Sequence, residues 1–175
     1  MFEMRLSGSG GQGLILGGII LAEAALLDGK LAIQSQSYGP EARGGSSKSE
    51  VLISENVIHF PKVTKPDLVL AMTQEALGKY SSDLPTDKIL IIDTTFVKEV
   101  PEQFTNVYHF PITEIAQKEM GKALFANIVA LGAIVALTKV VSVEAITKAV
   151  LARVPAGTEE VNKRALEAGM ALIKK

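Results

Sequence analysis

The chain has 175 residues, the size of one domain, and 47% are hydrophobic, enough to bury a sizeable core. Lys and Arg number 18 against 19 Asp and Glu, so no basic field is present to recruit nucleic acid or an anionic membrane. Without cysteine there is no disulfide, no thiol nucleophile and no thiolate ligand for zinc or an iron–sulfur cluster. Two isolated histidines, His59 and His109, do not make a metal site.

Apolar segments then alternate between strand-like and helix-like character. The start, Met1 followed by FEMRLS, reads as a strand and not as a leader, which places the protein in the cytoplasm. EMRLS (3–7) runs into GSGGQG (8–13) and then into LILGGIILAEAALL (14–27), long enough for a helix and apolar on most sides. Asp28-Gly29 stops that helix, and KLAIQSQ (30–36) reads as a second strand, giving a βαβ unit. After a loop at 37–48, SEVLISENVIHF (49–60) reads as two strands joined at Glu55-Asn56, an antiparallel hairpin. DLVLAM (67–72) and KILIID (88–93) are continuous apolar runs of the kind covered on both faces. NVYHF (106–110) reads as a shorter strand, and helices are expected over roughly 111–138, 142–152 and 158–174. In the last, Val161, Ala165, Ala168 and Leu172 share one stripe, with Glu159 and Glu160 favourably placed in the first turn. The apolar run LFANIVALGAIVAL (124–137) is 14 residues, short of the roughly 20 that span a bilayer. The expected fold is one α/β domain over 1–175: three layers, a Rossmann-like mixed sheet flanked by helices, and a helical C-terminal third.

Two stretches carry candidate chemistry. Gly8-x-Gly10-x-x-Gly13 lies between a strand and a helix, where backbone N–H groups and the helix N-terminus can face an anion. A nicotinamide site would also want an acid near the end of the second strand, and Ile33-Gln34-Ser35-Gln36 has none. Gly17 and Gly18 read as packing positions within the helix. The second stretch, SYGPEARGGSSK (37–48), follows the second strand and so begins on the same sheet edge as the 8–13 turn. It offers Tyr38, Arg43 and Lys48, with Gly39-Pro40 and Gly44-Gly45 as turn residues; a guanidinium beside glycines suits an anion or a carboxylate. No catalytic set stands out. Asp93-Thr94-Thr95 ends a strand and reads as a cap, Asp67 as a turn residue, Thr73-Gln74-Glu75 as a helix start. Asn127, polar in an apolar helix, must find a partner if buried.

LSGSGGQG, QSQSYGPEARGGSSKSEVLIS, PDLVLAMTQEAL and NIVALGA together resemble the gamma subunit of the 2-oxoacid:ferredoxin oxidoreductases over essentially the whole chain, with the 2-oxoglutarate type closest. SYGPEARGG after GSGGQG is the specific part. The resemblance implies a subunit of an enzyme that oxidatively decarboxylates a 2-oxoacid to an acyl-CoA and reduces ferredoxin. It implies alpha and beta partners, and in some enzymes a small delta subunit. Thiamine diphosphate and Mg lie between alpha and beta, and the iron–sulfur clusters in beta or delta. It implies no catalytic residue and no cofactor on this chain alone, which would be inactive by itself. It also implies a cleft facing CoA or the alpha subunit, lined by Gly8, Ser9, Gly10, Gly11, Gln12, Gly13, Tyr38, Arg43, Gly44 and Gly45. Two other readings remain at this point: a free-standing Rossmann-like nucleotide-binding module, and a purely architectural subunit.

Overall fold

A computed structural model of the chain describes residues 1–38 and 45–174, with Tyr38 and Lys174 described by backbone alone. The alternation of FEMRLSGS builds β1 (Phe2–Ser9), and the turn that follows leads into α1 (Leu14–Leu27). Then come β2 (Leu31–Tyr38), β3 (Ser46–Ser54), β4 (Leu68–Ala71), α2 (Gln74–Tyr80), β5 (Ile89–Asp93) and β6 (Val107–Phe110). The C-terminal third is helical: α3 (Ile112–Met120), α4 (Ala126–Thr138), α5 (Val143–Arg153) and α6 (Glu159–Ala171). The six strands form one mixed sheet in the order β2-β3-β1-β4-β5-β6. β1, β4, β5 and β6 run parallel, while β3 is antiparallel to both β1 and β2. This is the expected α/β domain with a mixed sheet and a helical C-terminal third.

The placement of strands and helix ends differs from the sequence reading in four places. No strand follows Glu55-Asn56: Asn56 N donates to Ser54 Oγ at 3.1 Å, and Val57 and Phe60 lie exposed. The cause is topological, because β1 and β2 already occupy both edges of β3 and leave a returning strand no place beside it. The hairpin is instead β2–β3. Its strands extend inward from both ends, so the loop read as 37–48 shrinks to a connection over 39–45, and Lys48 belongs to β3. β1 and β2 point the same way, as a βαβ unit requires, but β3 lies between them. Finally, the helix expected over 111–138 is broken: Gly121, at φ 80°, caps α3 with its N–H on Gln117 O, and a 3-10 turn (Ala123–Phe125) leads into α4.

One face of the sheet packs Met4, Leu6, Val51, Leu68, Leu70 and Ile91 under the long helices in the main core. The other face has a smaller core of Val69, Ala71, Leu90 and Ile92 with Leu77 of α2 and Phe104. α1 sits tight on the sheet at Gly18, where a Cβ would fall 2.0 Å from Ser49 Oγ; Gly17 has ordinary room, 3.6 Å from Leu6. α4 and α6 touch backbone to backbone. A Cβ on Gly132 would lie 2.1 Å from Leu166 O, and one on Gly169 1.9 Å from Val129 O. That contact centres the buried stripe of α6 on Asn162, Ala165, Leu166 and Gly169, one step round from the stripe expected. No described helix is long and apolar enough to cross a membrane.

Candidate functional site

The C-terminal ends of β1 and β2 and the start of β3 meet at one edge. Ser9 pairs with Ser46, and Tyr38 with Ser47, in the sheet register. The glycine-rich turn leaves this edge from β1, and the 39–45 connection leaves it from β2. They touch directly: Gly10 N donates to Gly45 O at 3.1 Å. The shared edge expected from the sequence is therefore present. Arg43 and Gly44, with Gly39-Pro40, lie outside the described residues, as does the side chain of Tyr38.

The turn is stiffened from within. Gln12 folds back so that its Oε1 accepts from Ser9 N at 2.8 Å, and Gln12 N donates to Ser9 O at 3.3 Å. Gly8 leaves room for that carboxamide, since a Cβ there would lie 2.2 Å from Oε1. Gly11 and Gly13 stand at φ 87° and 73°, a region costly for any residue with a Cβ. The N–H groups of Ser9 and Gln12 are thus spent inside the turn, and that of Gly10 on Gly45. Those of Gly11, Gly13 and Leu14 have no acceptor among the described residues. Gly10 and Gly11 are exposed. α1 carries neither a side-chain cap nor an acid in its first turn, so nothing described neutralises its N-terminal partial charge.

Asn127 closes the turn from behind. This buried side chain in the first turn of α4 donates from Nδ2 to Gly13 O at 3.2 Å and accepts from Ile128 N at 2.9 Å. The other polar residues singled out in the sequence are structural. Asp93 is fully buried and accepts from Thr113 N, Thr113 Oγ1 and Thr95 N, fixing the start of α3. Asp67 accepts from Glu3 N and pairs with Lys88, and Thr73 caps α2 through Ala76 N. His59 and His109 are exposed.

Sequence reasoning missed a charged network beneath the edge. Arg5 of β1 is buried; its Nε donates to Glu50 Oε1 at 2.8 Å, and Nη1 and Nη2 reach the two Asp83 oxygens at 2.5 and 2.9 Å. Nη1 also reaches Tyr80 O at 2.8 Å, while Lys48 Nζ donates to the same Glu50 oxygen at 2.8 Å. Tyr80 in turn donates from its hydroxyl to Ser46 O, and Ser46 from its hydroxyl to Glu75. Burial works against the Arg5 charge, but the hydrogen bonds to Asp83 and Glu50 outweigh it and the guanidinium pKa rises. The bond from Arg5 holds the Asp83 carboxyl below the usual carboxylate range. These groups are hydrogen-bonded to one another. They brace α2 against the start of β3 and do not supply a proton-transfer pair. The one available signal was the alternation E-M-R-L-S, which puts Glu3, Arg5 and Ser7 on one side of β1. A cavity of about 800 Å³ at the opposite edge, between Lys30, Val141, Val143 and Met170, is largely apolar, with Asp28, Lys139 and Ser142 also in its wall, and includes no residue of either candidate stretch.

Comparison with known proteins places this geometry. Residues 3–172 match the family model described as pyruvate ferredoxin/flavodoxin oxidoreductase. The 2-oxoglutarate synthase subunit KorC of Methanocaldococcus jannaschii is 49% identical over 175 residues, covering 98% of this chain and 94% of that protein. The crystal structure of the gamma subunit of a keto/oxoacid ferredoxin oxidoreductase from Geobacter sulfurreducens superposes with a TM-score of 0.89 at 51% identity, covering 98% of both chains. A 2-oxoglutarate:ferredoxin oxidoreductase from Magnetococcus marinus, with 2-oxoglutarate, coenzyme A and succinyl-CoA bound, shares the fold at a TM-score of 0.85 and 24% identity; this chain matches 31% of that one. The chain belongs to the pyruvate ferredoxin/flavodoxin oxidoreductase family, as a gamma subunit of a multisubunit 2-oxoacid:ferredoxin oxidoreductase.

Proposed function

We propose that the edge formed by the 8–13 turn and the 39–45 connection is the CoA-side face of the complex, and that its oxoacid is 2-oxoglutarate. The chain acts there as one domain over 1–175 in the cytoplasm. It partners alpha and beta subunits, and a delta subunit where the clusters are separate, with thiamine diphosphate, Mg and the iron–sulfur clusters all in those partners. The complex passes electrons to ferredoxin. The observation that carries the reading is the Gly10–Gly45 hydrogen bond, which joins the two stretches into one surface beside the N–H groups of Gly11, Gly13 and Leu14, which have no acceptor among the described residues. Backbone donors at a helix N-terminus and a guanidinium from Arg43 are what the phosphates of CoA require. The M. jannaschii relative supports the choice of oxoacid, and the CoA bound in the M. marinus enzyme supports the choice of ligand.

A nucleotide-binding module is disfavoured by topology as well as by the missing acid. With β3 between β1 and β2, the end of β2 is one strand too far from the turn to hold a ribose. An architectural role has one observation in its favour: the N–H groups of Ser9 and Gln12 are spent within the turn and that of Gly10 on Gly45, so none of the three is left for a ligand. Kinetics of the reconstituted complex separate the readings. The Arg43→Ala complex should assemble normally and show a KM for CoA raised about tenfold, the worth of one charge-assisted contact. An unchanged KM in a fully assembled complex would rule out CoA as the ligand of this edge.

A further inference from the structure

We propose that Asn127 is the positioning residue of the glycine-rich turn: through the Gly13 carbonyl it aims the Leu14 N–H out of α1 into the cleft. The functional half of this proposal rests on the CoA-side reading above; the geometric half does not.

Gly13 O already accepts the first helical bond of α1, from Gly17 N at 3.0 Å, and Asn127 Nδ2 adds a second donor at 3.2 Å. With both acceptor positions of that carbonyl filled, the peptide plane between Gly13 and Leu14 has no remaining freedom to rock. The peptide is trans, so the Leu14 N–H points opposite to the carbonyl. The carbonyl points down the helix, and the N–H therefore points out of its N-terminus. This N–H has no acceptor among the described residues. Asn127 is itself locked. Its Oδ1 accepts from Ile128 N, so only the amide nitrogen can face Gly13 O. It is buried, and Gly13 makes room for it: a Cβ at that position would stand 2.5 Å from Nδ2. A residue present only to satisfy the start of α4 would need the Ile128 contact alone. The second bond, 114 residues back along the chain, orders the turn instead.

Asn127→Asp keeps the shape and the Ile128 acceptor, suits a helix N-terminus electrostatically, and deletes the donor. Asn127→Leu keeps the volume and deletes both, so a failure of one variant to fold leaves the other. In the full chain labelled for NMR, both should move the Gly13 carbonyl 13C resonance and the Leu14 N–H residual dipolar coupling. Couplings in β4 and β5 should stay at wild-type values. A wild-type Leu14 coupling in both variants overturns the proposal, even if the melting temperature falls, because a packing role alone would lower the melting temperature without turning that N–H. In the reconstituted complex, the KM for CoA should rise about fivefold at constant kcat, the loss expected for one misaligned hydrogen bond. If the coupling moves while neither these variants nor Arg43→Ala change that KM, the geometric assignment stands and the CoA-side reading fails. If Arg43→Ala raises the KM and the Asn127 variants do not, the functional half of the proposal is overturned.

Discussion

The two faces of the sheet at β1 are built on opposite principles. On the α1 side, Met4 and Leu6 enter a continuous apolar core, and the helices above approach one another through glycines. On the α2 side, Glu3, Arg5 and Ser7 of the same strand are equally buried, yet each is tied to a specific partner: the Thr64 and Lys65 N–H groups, the Glu50 and Asp83 carboxylates, and Leu70 O. Among the described residues no buried polar side-chain atom lacks a partner. The apolar face tolerates small errors of shape by repacking, whereas the polar face fails abruptly, because each group left alone is a desolvated charge or dipole. That face stands directly beneath the edge proposed to face CoA. A rigid charged brace there holds the start of β3, and with it Gly45, against the glycine-rich turn.

The harshest way to break this contrast is Arg5→Ala. It strands Glu50 in the interior with only Lys48 opposite, and should cost about 3–5 kcal/mol in a denaturant titration. Replacing both members, Arg5→Met with Glu50→Leu, should recover part of that loss, because the buried Glu50 charge is removed with its partner, while Asp83 and Lys48, left behind, keep access to water. A mild effect from Arg5→Ala would mean that the polar face is as forgiving as the apolar one.

The contrast also separates what the sequence could disclose from what it could not. Periodicity located nearly every element, since strand and helix each need an apolar face. β4 and β5 declared their burial on both sides through LVLA and ILIID. The glycine-rich turn and its sheet-edge neighbour were legible because both follow strands of one direction. Partner choice was not legible. The insertion of β3 between β1 and β2, and hence the hairpin wrongly expected at Glu55-Asn56, depends on long-range pairing that no local window contains. Arg5 likewise drew no notice in the sequence, since its partners Glu50 and Asp83 lie 45 and 78 residues away. Asn127 was flagged only because it is polar in an apolar helix; its partner at Gly13 became visible only in three dimensions.

On the apolar side the weakest tolerance should be at the α4–α6 crossing. Gly169→Ala puts a methyl 1.9 Å from Val129 O, a backbone atom that cannot rotate away, so the helices must part. A loss of about 1–3 kcal/mol is expected, read as a lower denaturation midpoint at constant slope. Gly78→Ala in α2 is the control. A Cβ there meets nothing within 4 Å, and the change should be neutral or slightly stabilising. Equal losses at the two positions would show that close packing at the crossing is not what makes Gly169 sensitive.

The smallest effect tests whether the helical layer has its own polar clamp. Asp28, at the end of α1, accepts from Ser142 N at 2.6 Å and Ser142 Oγ at 2.7 Å, while Ser142 caps α5 through Ala145 N. Ser142→Ala should cost about 1 kcal/mol. The backbone bond from Ser142, chiefly, holds the Asp28 carboxyl below its usual range. A depressed carboxylate adds stability that is complete above its unfolded pKa and drains away as pH falls through the folded one. Wild type should therefore lose its advantage over Asp28→Asn on acidification from about pH 5 downward. Asp83 on the opposite face is depressed by Arg5 and drains in the same direction, so Asp28→Asn removes only part of the acid slope. The Asp83 share should vanish in the Arg5→Met, Glu50→Leu background, while Glu114, held down by its bond from Lys118, keeps its own. An acid slope unchanged by either replacement would mean that neither face draws its pH dependence from these clamps.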